Sequence, residues 1–178
     1  KTILLGVDLR KPRIFGDFDI TNDLGIVNYL IGDSSFEEIL NKTHIENLDV
    51  IPSGPVPPNP SELLMSDRLK KLMPELREHY DMIILDTPPL GLVTDALELT
   101  QYADSTVFMV RLDYTKKGML ALINAKYRRG EVKNINFVLN FYKHKANHNY
   151  GYGYGYGYGY GYGYGYGVYG NAYHEGNA

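Results

Sequence analysis

Five short apolar runs, each separated from the next by a segment with helical periodicity, constrain the fold more than any other feature of this chain. Runs of roughly four to six residues without a regular polar face are typical of strands covered on both sides. Strands of that kind belong to parallel sheets with helices packed outside. The predicted strands are 3–7, 48–51, 81–86, 106–110 and 135–139.

The segments between these strands carry apolar residues at helical spacing. Helices are expected over 34–40, 60–79, 95–102 and 115–129, and Gly130 is the predicted C-terminal stop of the last one. Pro74 predicts a kink or a division of the second helix, because proline lacks the amide hydrogen that a helix interior uses. The alternation predicts a doubly wound α/β fold, a mostly parallel sheet with helices on both faces.

Residues 150–178 differ in composition from the rest of the chain. They hold 11 of the 17 Tyr and 11 of the 19 Gly, and Glu175 is their one charged residue. Tyr and Gly alternate from Tyr150 to Gly167, a low-complexity pattern whose glycines disfavour a packed structure. The chain is therefore divided into a folded domain, 1–149, and a tail, 150–178, that is expected to be disordered.

Composition excludes several kinds of protein. A formal net charge of -3 argues against a nucleic-acid partner, which would call for a strongly basic face. The absence of Cys excludes disulfides, thiolate catalysis and zinc–thiolate sites. No apolar run approaches the roughly 18 residues that cross a bilayer, so the chain is expected to be soluble and to reach a membrane through a partner or further sequence.

In a doubly wound sheet the ligand lies beyond the carboxyl ends of the strands, where this chain places polar residues. The first strand runs into Asp8, followed by Arg10 and two further cations. A carboxylate at this place can face a metal ion or accept a proton from a substrate hydroxyl. It can equally cap the turn that follows, and the residues alone leave both interpretations open.

Two later strands end in a similar way. The third runs into Asp86 and then Thr-Pro-Pro, the pattern of a Walker B strand, whose carboxylate helps to hold Mg²⁺ at nucleotide phosphates. The fifth ends at Asn140, whose amide can pair with the edge of a nucleobase or, as the simpler alternative, make a turn.

Three segments together resemble the cytoplasmic kinase domain of bacterial tyrosine kinases, the BY-kinases of capsular and exopolysaccharide systems. They are VDLRKP, DMIILDTPP and the run IPSGPVPPNPSELL at 51–64. The last run is distinctive of that family within the larger group of ParA- and MinD-like P-loop ATPases. A C-terminal tail rich in tyrosine is the family's other hallmark.

The resemblance implies a transferase that moves a phosphoryl group from ATP to tyrosine with Mg²⁺ as cofactor. Asp8 and Arg10 match the catalytic Walker A-prime motif, Asp8 and Asp86 the metal-binding carboxylates, and Asn140 the residue beside adenine. Many relatives have a further Asp two residues before Asp8, where this chain has Gly6. Either Asp8 fills both roles or the metal and base functions are redistributed.

The phosphate-binding motif G-x-x-x-x-G-K-[ST] does not occur in the 178 residues. The resemblance places its strand and helix upstream, so the chain is expected to be an N-terminally truncated fragment. By itself, the chain is expected to bind ATP poorly and not to autophosphorylate.

The tail is expected to be the phospho-acceptor of this kinase, because glycine on both sides leaves each tyrosine unhindered. Through these tails a homo-oligomer is expected, with one subunit's tail in the next subunit's active site. The predicted acceptors are Tyr150, Tyr152, Tyr154, Tyr156, Tyr158, Tyr160, Tyr162, Tyr164, Tyr166, Tyr169 and Tyr173.

The resemblance also implies a cellular setting. The expected partners are a transmembrane polysaccharide co-polymerase or adaptor, fused upstream or separate, and a tyrosine phosphatase. The expected location is the cytoplasmic face of the bacterial inner membrane, where the kinase regulates synthesis and export of polysaccharide. Two alternatives stay open, a ParA- or MinD-like positioning ATPase and a catalytically deficient pseudokinase that acts as a phospho-acceptor.

Overall fold

All five predicted strands are present in the structure, a computed structural model that describes residues 1–90 and 95–142. A short strand, β2, is not predicted by the sequence because two residues carry no detectable apolar pattern. The strands are β1 (Thr2–Gly6), β2 (Asn41–Lys42), β3 (Leu48–Ile51), β4 (Met82–Asp86), β5 (Thr106–Arg111) and β6 (Ile135–Asn140).

Four strands form one sheet in the order β2-β3-β1-β4. Strand β1 is parallel to both neighbours, with Leu5 opposite Ile51 on one side and Leu85 on the other, and only β2 is antiparallel. Because the parallel strands run in register, β1, β3 and β4 end at the same edge of the sheet. The mostly parallel α/β fold predicted from the sequence is confirmed.

Strands β5 and β6 form a separate parallel pair, in which Arg111 lies opposite Asn140. Over residues 1–90 and 95–142, β4 pairs only with β1 and β5 only with β6, so each keeps one edge without a strand partner. Apolar side chains on these two strands are exposed, namely Met82, Ile84, Val107 and Met109.

In the described parts of the chain, six α-helices connect the strands, and two short 3₁₀ helices cover Ile14–Phe18 and Thr100–Tyr102. The sequence predicted neither Ile14–Phe18 nor the first α-helix, because their few apolar residues show no extended periodicity. The α-helices are α1 (Ile26–Ile31), α2 (Phe36–Ile39), α3 (Pro60–Leu64), α4 (Asp67–His79), α5 (Asp95–Leu99) and α6 (Lys117–Arg128).

The predicted helix 60–79 is divided, but not at Pro74, which lies inside α4. The break falls at Met65 and Ser66, where the Ser66 hydroxyl accepts a hydrogen bond from the Leu69 amide at 3.4 Å and begins α4. The predicted stop at Gly130 is confirmed, since Gly130 adopts a φ of 73° and its amide donates to the Tyr127 carbonyl at 2.9 Å.

The main hydrophobic core packs helices against β1, whose Ile3 and Leu5 side chains are completely buried. Burying a side chain of this size contributes roughly 1.5–3 kcal/mol. A central strand held in this way gives the residues at its carboxyl end a fixed starting point. The helical side of this core includes Leu30, Leu64, Leu69, Leu72 and Leu76.

A charged cluster lies near the amino ends of the same strands, around the buried carboxylate of Asp49. Lys42 donates to both of its oxygens at 2.8 and 2.7 Å, and the Tyr80 hydroxyl donates at 2.8 Å. The Lys1 ammonium lies 3.6 Å from the same carboxylate and 4.4 Å from the centre of the Tyr80 ring. Two cations and a hydroxyl thus surround one buried negative charge.

Residues 1–142 form one compact unit. Within the two described ranges, no helix combines the length and the apolar character that spanning a membrane would need. The predicted acceptor tyrosines all belong to 150–178 and lie outside the described residues.

Candidate active site at the carboxyl ends of the strands

The parallel pairing of β1 and β4 brings the two predicted metal-binding carboxylates to one edge of the sheet. Gly6 lies opposite Asp86, and the Val7 amide donates to the Asp86 carbonyl oxygen at 2.9 Å. Asp8 follows two residues after Gly6, so it belongs to the turn that leaves β1 beside the end of β4. The sequence predicted each residue separately, and the register explains why they are neighbours.

Asp8 is 5% exposed and is bound into its own turn. Its Oδ1 atom accepts hydrogen bonds from the backbone amides of Arg10 at 3.2 Å and Lys11 at 3.0 Å. The capping interpretation is therefore correct, and it does not exclude the functional one, since both bonds use Oδ1 and neither uses Oδ2. The turn fixes the carboxylate in place before any ligand arrives.

The carboxyl group of Asp86 has a strongly shifted pKa. Its pKa is raised to about 6, first because surrounding protein atoms displace water and then because Asp8 and Asp17 are negatively charged. The residue nevertheless keeps an exposed surface, so solvent and ions still reach it. A cation placed here would relieve the repulsion between these carboxylates.

Asp17 is a residue that the sequence interpretation missed. It lies on the 3₁₀ helix Ile14–Phe18, and its charge contributes to the raised pKa of Asp86. No pattern in the sequence marks it, because its proximity depends on the chain folding back after β1. One signal was available, namely that Asp17 follows the A-prime segment closely along the chain.

The donor set fits Mg²⁺ better than a metal that needs a complete protein cage. Among the residues that the structure describes, no group of three or more His, Cys, Asp or Glu side chains is arranged to hold a metal ion. Mg²⁺ is commonly bound by one or two carboxylates, with phosphate oxygens and water completing its shell. Asp8 and Asp86 supply that number of carboxylates.

Arg10 is exposed in the loop after β1 and reaches toward the proline-rich segment. Its Nη2 atom lies 3.3 Å from the Ser61 hydroxyl, in the first turn of α3. Asn59 precedes that helix, and its side-chain amide donates to the Glu62 carboxylate at 2.7 Å. The distinctive Pro-Pro-Asn-Pro-Ser-Glu run therefore lies beside the A-prime loop, with a hydrogen bond between them.

Asn140 lies at the end of β6, on the separate two-stranded sheet. Its side-chain oxygen accepts a hydrogen bond from the Phe141 amide at 2.7 Å, and Phe141 has a φ of 63°. The turn-forming alternative is thus realised. The described contacts do not join Asn140 to Asp8 or Asp86, and its role beside adenine stays a prediction.

Ser53 was also missed, although it lies in the quoted Ser-Gly-Pro run. It is 1% exposed, and its hydroxyl donates to the Gly6 carbonyl oxygen at 2.8 Å. A buried serine after a strand carries no chemical signal in the sequence. Its position became informative only when the register placed β3 next to β1.

Comparisons with known proteins show which family this chain resembles. A family described as an AAA domain matches residues 5–137. CapB from Staphylococcus aureus, a putative tyrosine-protein kinase, is 34% identical over 140 residues, which cover 79% of this chain and 61% of CapB. The kinase domain of the Escherichia coli tyrosine kinase ETK has a TM-score of 0.77 at 32% identity, covering 88% of this chain and 61% of that one.

A more distant structure shares the fold alone. The septum site-determining protein MinD from Pyrococcus horikoshii has a TM-score of 0.61 at 19% identity and covers 78% of this chain and 57% of that one. The chain spans 61% of the length of CapB, so these matches concern a part of such proteins. The fold and the similarity to kinases lead to one conclusion: the chain belongs to the AAA domain family and, within it, to the bacterial tyrosine kinases.

Proposed function

We propose that this chain supplies the metal-binding carboxylates and the tyrosine acceptors of an ATP-dependent protein-tyrosine kinase. The observation that carries the proposal is the pair Asp8 and Asp86 at adjacent strand ends, where the pKa of Asp86 is raised to about 6. A carboxyl group at a strand end is a candidate for function when its pKa is raised by loss of water and then by neighbouring carboxylates.

Asp8 and Asp86 would hold Mg²⁺, which neutralises negative charge on the nucleotide phosphates when it is bound. Asp8 is oriented by the Arg10 and Lys11 amides, and its Oδ2 atom, which neither amide uses, is the candidate ligand or proton acceptor. Arg10, tied to Ser61, would contribute positive charge at the rim of the site. Gly6 can contribute no carboxylate, so both duties of the A-prime motif fall on Asp8.

The phosphate-binding loop is not among these residues, since the sequence contains no G-x-x-x-x-G-K-[ST]. We propose that the loop and its strand join this unit in the complete kinase. Among residues 1–90 and 95–142, β4 and β5 each have one edge without a strand partner, and Met82, Ile84, Val107 and Met109 on these strands are exposed. Both features support this proposal, because a parallel sheet is normally covered on both faces.

We propose that the tail tyrosines, Tyr150 to Tyr173, accept the phosphoryl group, chiefly from a neighbouring subunit. Each phosphate adds about -1.5 to -2 charges, and several of them along one tail would repel one another. Unphosphorylated tails would then link subunits, phosphorylation would release them, and a tyrosine phosphatase would restore the links. Sizing columns on phosphorylated and dephosphorylated protein test this step, and identical elution volumes would contradict it.

The cellular setting is part of the same proposal. A kinase of this family would act at the cytoplasmic face of the inner membrane through a transmembrane co-polymerase or adaptor, and would regulate capsule or exopolysaccharide export. Co-purification of the chain with such an adaptor from detergent-solubilised membranes tests this proposal. Membranes that lack the adaptor are the control, and the chain should not be recovered with them.

A second candidate is a pseudokinase that serves only as an acceptor, and Gly6 is the observation that favours it. The deciding experiment fuses a strand, a P-loop and a helix before Lys1, giving a chain that we call the P-loop fusion. The kinase proposal expects ATP- and Mg²⁺-dependent phosphotyrosine in the fusion and none in the 178-residue chain. A well-folded fusion that binds Mg-ATP without forming phosphotyrosine would favour the pseudokinase, and ATP hydrolysis without phosphotyrosine the positioning ATPase.

A further inference from the structure

The Ser53 hydroxyl bridges the backbone on both sides of the turn that carries Asp8. It donates to the Gly6 carbonyl oxygen at 2.8 Å and lies 3.4 Å from the Asp8 carbonyl oxygen. These two carbonyls flank Val7, at the point where β1 ends. Because Ser53 is 1% exposed, water does not replace these bonds when the hydroxyl is lost.

Ser53 is itself held by two neighbouring segments. The Asn22 side chain pairs with both backbone groups of Gly54, accepting from its amide at 2.9 Å and donating to its carbonyl at 2.8 Å. The amides of Ile26 and Val27 donate to the carbonyls of Pro52 at 2.8 Å and Ser53 at 3.0 Å. The hydroxyl therefore projects from a braced segment rather than from a free loop.

Gly6 makes room for this contact. A Cβ atom at residue 6 would lie 3.0 Å from the Ser53 Oγ atom and 3.0 Å from the Ile14 Cγ2 atom. The space that a side chain at residue 6 would need is therefore occupied by the Ser53 hydroxyl and an Ile14 methyl group. The absence of a side chain at residue 6 thus allows the Ser53 hydroxyl to reach the Gly6 carbonyl oxygen.

We propose that Ser53 is a positioning residue for Asp8. By tying the carbonyls of Gly6 and Asp8, it holds the turn in the geometry in which the Asp8 Oδ1 atom accepts the Arg10 and Lys11 amides. The carboxylate is then preformed for the cation that it would bind. The role in metal binding rests on the proposed function, whereas the tie between Ser53 and the turn does not.

The test compares Ser53→Ala with Ser35→Ala in the 178-residue chain. Ser35 caps α2 by accepting a hydrogen bond from the Glu38 amide at 3.4 Å, so its loss removes a serine hydrogen bond that does not involve the turn. Amide hydrogen exchange of Arg10 and Lys11 is measured by NMR, and MgCl₂ is titrated into each protein. Ser53→Ala should speed exchange at these two amides by about tenfold and weaken Mg²⁺ binding about three- to tenfold, whereas Ser35→Ala should change neither.

A second variant keeps the proposal testable if Ser53→Ala disturbs the fold. Gly6→Ala should displace the hydroxyl and speed exchange at the same amides, and the double variant should show less than the sum of the two effects. Wild-type exchange rates at Arg10 and Lys11 in Ser53→Ala, or full additivity in the double variant, would overturn the proposal. If the wild-type chain takes up no Mg²⁺, the proposed function fails, and the exchange data still decide the role of Ser53.

Discussion

The aspartates at the two ends of the parallel sheet have pKa values that are shifted in opposite directions. Near the amino ends of the strands, burial acts to raise the pKa of Asp49, but hydrogen bonds from Lys42 and Tyr80 and the charges of Lys42 and Lys1 outweigh it. The pKa of Asp49 therefore lies below its usual range. At the carboxyl ends, displaced water and two like charges raise the pKa of Asp86 to about 6.

The difference separates a structural charge, Asp49, from the charge that we propose to be functional, Asp86. Asp49 is 3% exposed and its negative charge is balanced inside the protein, so nothing further is needed to stabilise it. Asp86 remains open to solvent, and its neighbours Asp8 and Asp17 add negative charge, so a bound cation would stabilise its ionised form. An uncompensated carboxyl group at a strand end is the kind of feature that catalytic sites maintain at the expense of stability.

The largest effect is expected from Asp86→Asn in the P-loop fusion. Phosphotyrosine formation should fall by roughly 100-fold or more, because a metal-positioning carboxylate acts on the charge of the transition state. Thermal stability should not fall, since the change removes a repelled charge. The control is Asp81→Asn, which changes an exposed carboxylate just before β4. If Asp86→Asn lost stability and kept its activity, Asp86 would have a structural role instead of the proposed functional one.

Asp49→Asn should lower the stability of the protein and leave Mg²⁺ binding unchanged, the opposite of what is expected for Asp86→Asn. It removes the charge that Lys42 and Tyr80 hydrogen-bond, so we expect a loss of about 2 kcal/mol in the free energy of unfolding, measured with urea. Mg²⁺ binding at the other end of the sheet should be unchanged within a factor of about two, because distant sites are nearly independent. If Asp49→Asn weakened Mg²⁺ binding and left the stability unchanged, the structural role of Asp49 would be wrong.

The pH dependence of the two ends should also differ in sign. The folded protein holds the Asp86 proton up to about pH 6, so this group's contribution to stability is present below its usual pKa of 3.8 and is lost as pH rises through about 6. Mg²⁺ affinity should rise over the same interval, as the proton stops competing. Urea unfolding and Mg²⁺ titration at pH 5 and 7, on wild type and Asp86→Asn, measure the stability and the affinity. If the affinity of the variant rose equally with pH, the rise would belong to another titrating group.

Asp49 titrates in the other direction. Its pKa is lowered below 3.8, so its contribution is present above that value and is lost as pH falls through the lower folded pKa. Acid unfolding of wild type and Asp49→Asn should differ below about pH 4. Coincident acid transitions would mean that the Lys42 and Tyr80 contacts do not hold the carboxylate in solution.

The smallest effect is expected from Tyr80→Phe. Only the hydroxyl that donates to Asp49 is lost, and the two lysines remain, so stability should fall by about 1 kcal/mol and the pKa of Asp49 should rise toward its usual value. Carbon-detected NMR of the carboxyl group follows that pKa. Tyr29→Phe, on α1 away from the cluster, is the matched control.

The accuracy of the sequence-based predictions differs between individual strands and helices. The bounds of the five predicted strands were correct within a residue or two, because a continuous run of apolar residues is visible in the local sequence. The break at Ser66 was misplaced to Pro74, because a cap depends on one side chain meeting one amide. Strand β2 and helix α1 were missed, since tertiary contacts rather than local periodicity stabilise them.

The sequence by itself determined the strand-and-helix alternation, the identity of Asp8, Arg10, Asp86 and Asn140 as candidates, and the separation of the tyrosine-rich tail. These follow from local composition and from motifs whose residues are adjacent in the chain. The tertiary structure alone decided that Asp8 and Asp86 are neighbours, that Asp17 adds a third charge, and that Ser53 ties the turn. Parallel strands bring residues from distant parts of the chain to one edge, and their register is a property of the folded sheet.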